Sequence, residues 1–295
     1  MRILLGAVAA AAAFLCVLAE AQAHAVCGDR IFPATLMIDD PGVGDEFSFP
    51  TIQYAPIPSS AGGGSTTTYG YEWDKTITQN IGFSISSDYQ TQKSGGATAY
   101  GWDNLDVGLK GQVFCDEGDE FMASVGVDRE FANTGSKQVT AGSTSTTSPT
   151  LFVGKGLGDI LPGYLRPLAT TYEVGYAISD RPSQQPNEWD YGFSVQYSLP
   201  YLQQHVKDLG LGPAGNLIPL VEFNFSSPTG QQTTGLASPG IFYEADTWQL
   251  GIEANIPINA ATRASQGVGF IAQFHLFLDD IFPTSLGKPL FGGKS

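Results

Sequence analysis

The residues that could perform acid–base or nucleophilic chemistry are few in this 295-residue chain. A serine hydrolase needs a histidine that contacts both a serine and a carboxylate. After residue 25 the only histidines are His205 and His275. His205 falls in a predicted surface helix, and His275 falls on a predicted strand, outside any motif that pairs it with a serine. The sequence therefore does not indicate an enzyme.

Two short segments have the composition of ligand-binding loops but lack the required spacing. Residues 39–46 (DDPGVGDE) offer hard oxygen ligands, yet they do not follow the order of a calcium-binding EF-hand loop, and Asp-Pro-Gly is a turn signal. Residues 154–158 (GKGLG) are glycine-rich but do not match the phosphate-binding G-x-x-x-x-G-K-[ST] pattern. We predict no metal site, no nucleotide site and no cofactor.

The remaining polar chemistry lies on strands, where polar and apolar side chains alternate. In residues 246–256, Trp248 and Leu250 share one face of a strand, while Gln249 and Glu253 share the other. The same pattern recurs in 166–178 and 187–199. Strands of about ten residues with aromatic side chains near their ends are typical of a membrane-spanning barrel, whereas the strands of a soluble sandwich are shorter.

Alternation and the positions of turn residues predict one all-β domain, an antiparallel transmembrane β-barrel of about twelve strands. The predicted strands lie near 46–55, 68–77, 80–89, 101–113, 120–131, 149–156, 166–178, 187–199, 216–227, 238–245, 246–257 and 266–278.

The connections alternate between long polar loops and shorter turns, as expected when short turns face the periplasm and long loops face outward. Two connections on the predicted periplasmic side, 157–165 and 200–215, are long. The second contains the pattern of a short periplasmic helix near 201–209.

The ends of the chain are predicted to lie outside the barrel. Residues 1–25 have the charged start, apolar stretch and A-x-A site of a signal peptide. Residues 26–45 are predicted to be a periplasmic N-terminal segment, 46–278 the barrel, and 279–295 a periplasmic C-terminal tail. After residue 25 we find no apolar run of about 18 residues, the length that a spanning helix requires.

Charge and cysteine content restrict the partners and the compartment. The net charge of −15 argues against nucleic acid, because phosphate binding needs a basic surface; the acidity could also simply keep the loops solvated. Cys27 and Cys115 both fall on the predicted periplasmic side, in an oxidising compartment. We predict a disulfide bond between them.

In a barrel of this kind the apolar face meets lipid and the polar face lines the lumen. Fixed carboxylates in a narrow lumen would favour cations, but a barrel of intermediate size could also be filled by its own side chains. The predicted lumen-lining residues are Glu72, Asp88, Asp106, Lys110, Asp128, Glu130, Glu173, Asp190, Glu222, Glu253, Asn255, Gln273 and His275.

Three stretches of the chain resemble an uncharacterised family of Gram-negative outer-membrane barrels. They are residues 27–47, which begin CGDRIFPATL, 188–201 (EWDYGFSVQYSLPY) and 272–283 (AQFHLFLDDIFP). The family is loosely similar to proposed transporters of the MetA-pathway phenol-degradation type. This resemblance implies a barrel in the cell outer membrane, and it implies no substrate and no catalytic residue.

The sequence thus predicts an outer-membrane barrel through which small solutes pass passively, with a leaning toward cations. One alternative is a closed structural or interaction barrel that presents its outer loops. A weaker alternative is uptake of small apolar or aromatic compounds. The expected partners are outer-membrane lipid, small solutes and the barrel-insertion machinery during biogenesis.

Overall fold

Twelve antiparallel strands close into a β-barrel in the computed structural model, which describes residues 25–139 and 141–291. A two-stranded hairpin, β1 (Ala25–Cys27) and β2 (Arg30–Phe32), precedes the barrel. The barrel strands are β3 (Glu46–Ile57), β4 (Gly64–Thr78), β5 (Ile81–Ser94), β6 (Ala97–Trp102), β7 (Leu105–Asp116), β8 (Phe121–Phe131), β9 (Thr146–Gly156), β10 (Leu168–Ser179), β11 (Glu188–Tyr197), β12 (Leu217–Pro228), β13 (Thr234–Glu244), β14 (Trp248–Pro257) and β15 (Gly269–Phe277). Each strand pairs with its neighbour, and β15 pairs with β3 to close the sheet. The predicted fold is confirmed.

The predicted strand 101–113 is interrupted in the structure. β6 pairs with the second half of β5 and β7 with its first half, so the two segments together form one wall strand. At the interruption, the Asp103 amide donates to the carbonyl of Asp88 at 2.7 Å. This bond keeps the wall continuous, and the barrel has twelve strands rather than thirteen.

The helical segments are short and lie in the connections. They are Ser59–Ala61, Lys137–Val139, Gly163–Leu165, Leu199–Tyr201, Leu202–Val206, Gly212–Asn216, Ala260–Ser265 and Leu278–Ile281. The helix predicted near 201–209 corresponds to Leu199–Val206. Within the described part of the chain, no helix has the length and hydropathy needed to cross a membrane.

The two ends of the barrel differ. At the terminal end, defined as the end at which β3 begins and β15 finishes, short turns join β4 to β5 and β13 to β14. The opposite end, the loop end, carries longer connections such as 132–145 and 258–268. The short turns are typical of the periplasmic end of outer-membrane barrels. Two connections at the terminal end, 157–167 and 198–216, are nevertheless long, as the sequence indicates.

The alternating pattern produces an apolar outer surface and a polar interior. On β14, Leu250 and Ile252 point outward and are half exposed, whereas Gln249, Glu253 and Asn255 are fully buried inside the barrel. Trp189, Tyr191 and Val195 make the same outward surface on β11. Apolar side chains that face outward lose no solvation when the surroundings are lipid, so this surface suits a bilayer.

The N-terminal segment lies inside the barrel, although the sequence predicts a periplasmic location for residues 26–45. Residues 33–44, here called the plug, run through the lumen, while β1 and β2 cover the terminal end. The backbone amides of Leu36 and Ile38 donate to the Glu222 carboxylate on β12, and the carbonyl of Pro41 accepts from the Ser124 hydroxyl on β8. The physical reason is that lumen carboxylates accept hydrogen bonds from an extended chain, whose amide groups need partners once they leave water.

A disulfide bond fixes the start of the chain to the terminal end of the barrel. Cys27 is bonded to Cys115 at the end of β7, with 5.9 Å between the two Cα atoms. The predicted pairing is present. Because the bond holds β1 against the barrel rim, it also limits how far the plug can withdraw.

We expect reduction of this disulfide to destabilise the folded protein by up to about 4 kcal/mol, since closing a long loop restricts the unfolded chain. Chemical unfolding with and without reductant, in detergent, would measure the loss. Cys27→Ser together with Cys115→Ser should show the same loss without reductant. Two free thiols in the denatured, unreduced mature protein would contradict this prediction.

The C-terminal tail folds back onto the rim at the terminal end. The Lys75 ammonium on β4 donates to the carbonyls of Leu286 and Lys288 at 2.9 and 2.8 Å, and it lies 2.5 Å from the Asp45 carboxylate. The amides of Leu290 and Phe291 then donate to carbonyls at the end of β4. The tail is therefore held against the end of β4 by hydrogen bonds, without forming a strand of its own.

Candidate functional site: the lumen

The larger of two lumen cavities opens toward the loop end and has a volume of about 380 Å³. Plug residues 35–39 form its floor. Its walls come from β3, β4, β5, β8, β9, β10 and β15. Carboxylates dominate the polar lining, from Asp39, Glu72, Asp88, Asp128 and Glu173. We call this cavity the vestibule.

A smaller cavity of about 90 Å³ continues from the vestibule toward the terminal end, between the plug and the wall formed by β3, β4, β5, β7, β8, β9 and β15. Asp39, Glu72, Asp128, Phe152 and Gln273 line both cavities, so the two are adjoining. Together they trace a polar path beside the plug. Lys110 lines the smaller cavity.

Several wall side chains bind the plug directly. The Glu222 carboxylate accepts hydrogen bonds from the amides of three consecutive residues, 36–38, at 2.9, 3.0 and 3.1 Å. The Glu173 carboxylate accepts from the Asp39 amide at 2.6 Å, and the Gln249 amide donates to the carbonyl of Ala34 at 2.7 Å. Hydrogen bonds with a charged acceptor are stronger than neutral ones. The plug is therefore fixed to β10, β12 and β14, although Glu173 on β10 also lines the vestibule.

Two glycines on the lumen face make room for the N-terminal segment. A Cβ atom on Gly154 would lie 2.9 Å from the Phe32 ring, and a Cβ atom on Gly192 would lie 2.5 Å from the Ile38 side chain. Both distances are shorter than van der Waals contact. Glycine at these inward positions was the signal in the sequence that could have revealed a segment inside the lumen.

The structure divides the predicted lumen residues into three groups. Glu72, Asp88, Lys110, Asp128, Glu173, Gln273 and His275 line one or both cavities. Glu222, Glu253 and Asn255 are buried beneath the plug. Asp106, Glu130 and Asp190 lie outside the lining of both cavities; Glu130 accepts from Asn104 and Thr146 near the loop end. Position on the polar face of a strand therefore does not by itself place a residue on the path.

A buried cluster of charged and aromatic side chains anchors the start of the chain. The Arg30 guanidinium donates to one Glu120 carboxylate oxygen at 2.8 and 3.0 Å, and it lies 3.8 Å from the centre of the Tyr201 ring. The Tyr201 hydroxyl donates to the other Glu120 oxygen at 2.6 Å. Burial, together with this bond to Glu120, raises the pKa of the Tyr201 hydroxyl. Sequence analysis missed this cluster because its three members come from three separate parts of the chain.

Ser48, His275 and Glu46 form a second polar cluster, which sequence analysis did not expect. The Ser48 hydroxyl lies 2.8 Å from Nδ1 of His275, and a Glu46 oxygen lies 2.7 Å from Nε2. These are the residue types of a hydrolase triad. Ser48 and His275 are almost fully buried, however, and they join the first and last strands of the barrel. We assign them a structural role at the closure of the sheet.

Carboxylates supply most of the charge in the two cavities. Across residues 25–139 and 141–291, no group of three or more histidine, cysteine, aspartate or glutamate side chains is arranged to hold a metal ion.

Comparisons with known proteins agree with this architecture. No family model matches the sequence, and no curated protein matches it. Among solved structures, the COG4313 outer-membrane channel from Pseudomonas putida F1 has a TM-score of 0.56 at 9% identity, over 84% of this chain and 99% of that chain.

More distant similarities are to the KdgM porin and to LpxR from Salmonella typhimurium. KdgM has a TM-score of 0.45 at 10% identity, over 77% of this chain and 98% of that chain. LpxR has a TM-score of 0.46 at 11% identity, over 79% of this chain and 99% of that chain. At such identities the likeness concerns the fold alone. The closed antiparallel barrel, its apolar outer surface and its polar lumen together make this chain an outer-membrane β-barrel.

Proposed function

We propose that this protein is a channel for the passive passage of small solutes, with a preference for cations. The observation that carries the proposal is the acidic path beside the plug. Because the vestibule and the smaller cavity adjoin, a solute that enters from the loop end meets a continuous polar lining.

The charges on the path favour cations over anions. Glu72 and Asp128 line both cavities, and Asp39 contributes a third carboxylate from the plug. Fixed negative charges between walls of low dielectric constant concentrate counter-ions and exclude ions of the same sign. Lys110 offsets only part of this charge.

The two other functions receive less support from the lumen. A closed barrel that presents its loops would account for the plug, but it gives no role to an acidic path beside it. Uptake of apolar or aromatic compounds does not suit a vestibule whose polar lining is dominated by carboxylates. A charged solute gains more from this lining than an apolar one.

We expect purified protein in a planar bilayer to conduct, and to show a cation-selective reversal potential in a KCl gradient. Glu72→Gln together with Asp128→Asn should move this potential toward zero, because both carboxylates lie on the path. The difference in reversal potential between the wild type and the double variant should shrink at high salt, since the Debye length falls from about 10 Å at 0.1 M to about 3 Å at 1 M.

Asp190→Asn is the control. It removes a carboxylate from a barrel strand, but Asp190 lies outside the lining of both cavities. Its reversal potential should equal that of the wild type. If the wild type does not conduct, or if the double variant keeps its full selectivity, the channel proposal fails in favour of a closed barrel.

A further inference from the structure

The Lys110 ammonium lies at the junction between the vestibule and the smaller cavity. Its Nζ atom is 2.5 Å from an Asp39 carboxylate oxygen and 3.1 Å from the carbonyl oxygen of Asp40. It also lies 4.7 Å from the centre of the Phe152 ring. Asp39 and Phe152 line both cavities, so these contacts occur on the path itself.

Lys110 is distinctive in its surroundings. Among the described residues that line the two cavities, it is the only lysine or arginine. Its partners are a carboxylate, a carbonyl oxygen and the face of an aromatic ring, which are also groups that bind alkali cations or small organic ammonium ions. The side chain thus occupies, as a tethered cation, a position that a free cation could take.

The ion pair is accessible to water, in contrast to the other ion pair that holds the N-terminal region. The Lys110 and Asp39 side chains are 23% and 52% exposed, whereas those of Arg30 and Glu120 are 0% and 7% exposed. Ion pairs exposed to this degree contribute little to stability. The pair can therefore open and exchange with ions in the lumen without unfolding the barrel.

We infer that Lys110 and Asp39 form the selectivity-determining constriction of the path, where a permeating monovalent cation must replace the Lys110 ammonium at the Asp39 carboxylate. This inference rests on the proposed channel function. The fixed positive charge limits the flow of cations and prevents multivalent cations from accumulating. The carboxylate opposite it provides the site through which each cation passes.

Two single substitutions separate this role from a purely structural one. Lys110→Gln and Asp39→Asn both remove the same ion pair, but they change the charge on the path in opposite directions. Lys110→Gln should raise the potassium-to-chloride permeability ratio and the conductance. Asp39→Asn should lower the permeability ratio, because the Lys110 charge then lacks its carboxylate. If the ion pair only holds the plug in place, both substitutions should shift the permeability ratio in the same direction.

Further variants complete the experiment in planar bilayers. Lys110→Arg keeps the charge and should stay close to the wild type, and the charge-neutral double variant Lys110→Gln with Asp39→Asn should return toward the wild-type ratio. Lys155→Gln is the control, because Lys155 lies on the outer face of β9 beside Asp159.

The possible outcomes are distinct. Opposite shifts of the two single variants, with Lys155→Gln unchanged, support the inference. The inference is overturned if both single variants conduct with the wild-type permeability ratio, or if their ratios shift in the same direction. In that case the channel function still stands. A wild-type protein that does not conduct overturns both.

Discussion

Arg30→Met is expected to destabilise the anchored N-terminal region by about 3–5 kcal/mol, because it leaves the buried Glu120 carboxylate without its cationic partner. Arg30 is fully buried and binds Glu120 through two nitrogen atoms. The loss should be local, because the barrel strands pair with one another independently of Arg30. We therefore expect faster proteolysis within residues 33–44 and larger, more variable single-channel conductance, while the barrel keeps its heat-modifiable gel mobility.

A double-mutant cycle provides the control for this prediction. In Arg30→Met with Glu120→Gln, no unpaired charge remains, so part of the stability should return. Tyr201 can still donate its hydroxyl hydrogen to the amide oxygen of the new side chain. If Arg30→Met resists proteolysis as well as the wild type does, the cluster does not hold the plug in place.

Ile85→Arg should reduce folding into lipid far more than Ser86→Arg does. The two residues are neighbours near the middle of β5, so their side chains point to opposite faces. Arginine on the lipid face near the midplane costs about 2–4 kcal/mol. At position 86 the same side chain would enter the vestibule beside Glu72 on β4. Asp106 on β7 is the other residue paired with Ser86, although it does not line the cavity.

Folded yield in lipid, followed by gel mobility with and without heating, would measure this difference. The two variants place the same arginine side chain at neighbouring positions of one strand, so its size and the local strand propensity are equal in both. Equal losses would contradict the assignment of faces on β5. Gln249 would not serve as the lumen residue in this kind of comparison. Its side chain is fully buried and donates to the carbonyl of Ala34 in the plug.

The barrel itself could be predicted from the sequence because its determinants are local. On β11 and β14, the alternation of apolar and polar residues defines both the strand and its two faces. The register between strands then follows, because a slip by one residue would exchange those faces. The one interrupted strand, β6 with β7, escaped prediction because the irregularity at residues 103–104 depends on a backbone contact with β5.

The plug could not be predicted by the same reasoning. Residues 33–44 have no alternation, and their main contacts use backbone amides, which every residue except proline possesses. The bond between the Ile38 amide and Glu222 joins residues 184 positions apart. Nothing near Glu222 in the sequence indicates that this carboxylate will bind the N-terminal segment rather than face water. A prediction from strand faces therefore could not contain the division between the path and the plug.

The C-terminal tail has a consequence for how firmly the barrel stays closed. The barrel closes where β15 meets β3, and the tail that follows β15 passes beyond β3 to bind Lys75 and the end of β4. The same segment therefore contacts strands on both sides of the closing seam. Because it must be released before β15 can move away from β3, the tail opposes the separation of the one pair of strands that the sheet brings together from opposite ends of its strand sequence.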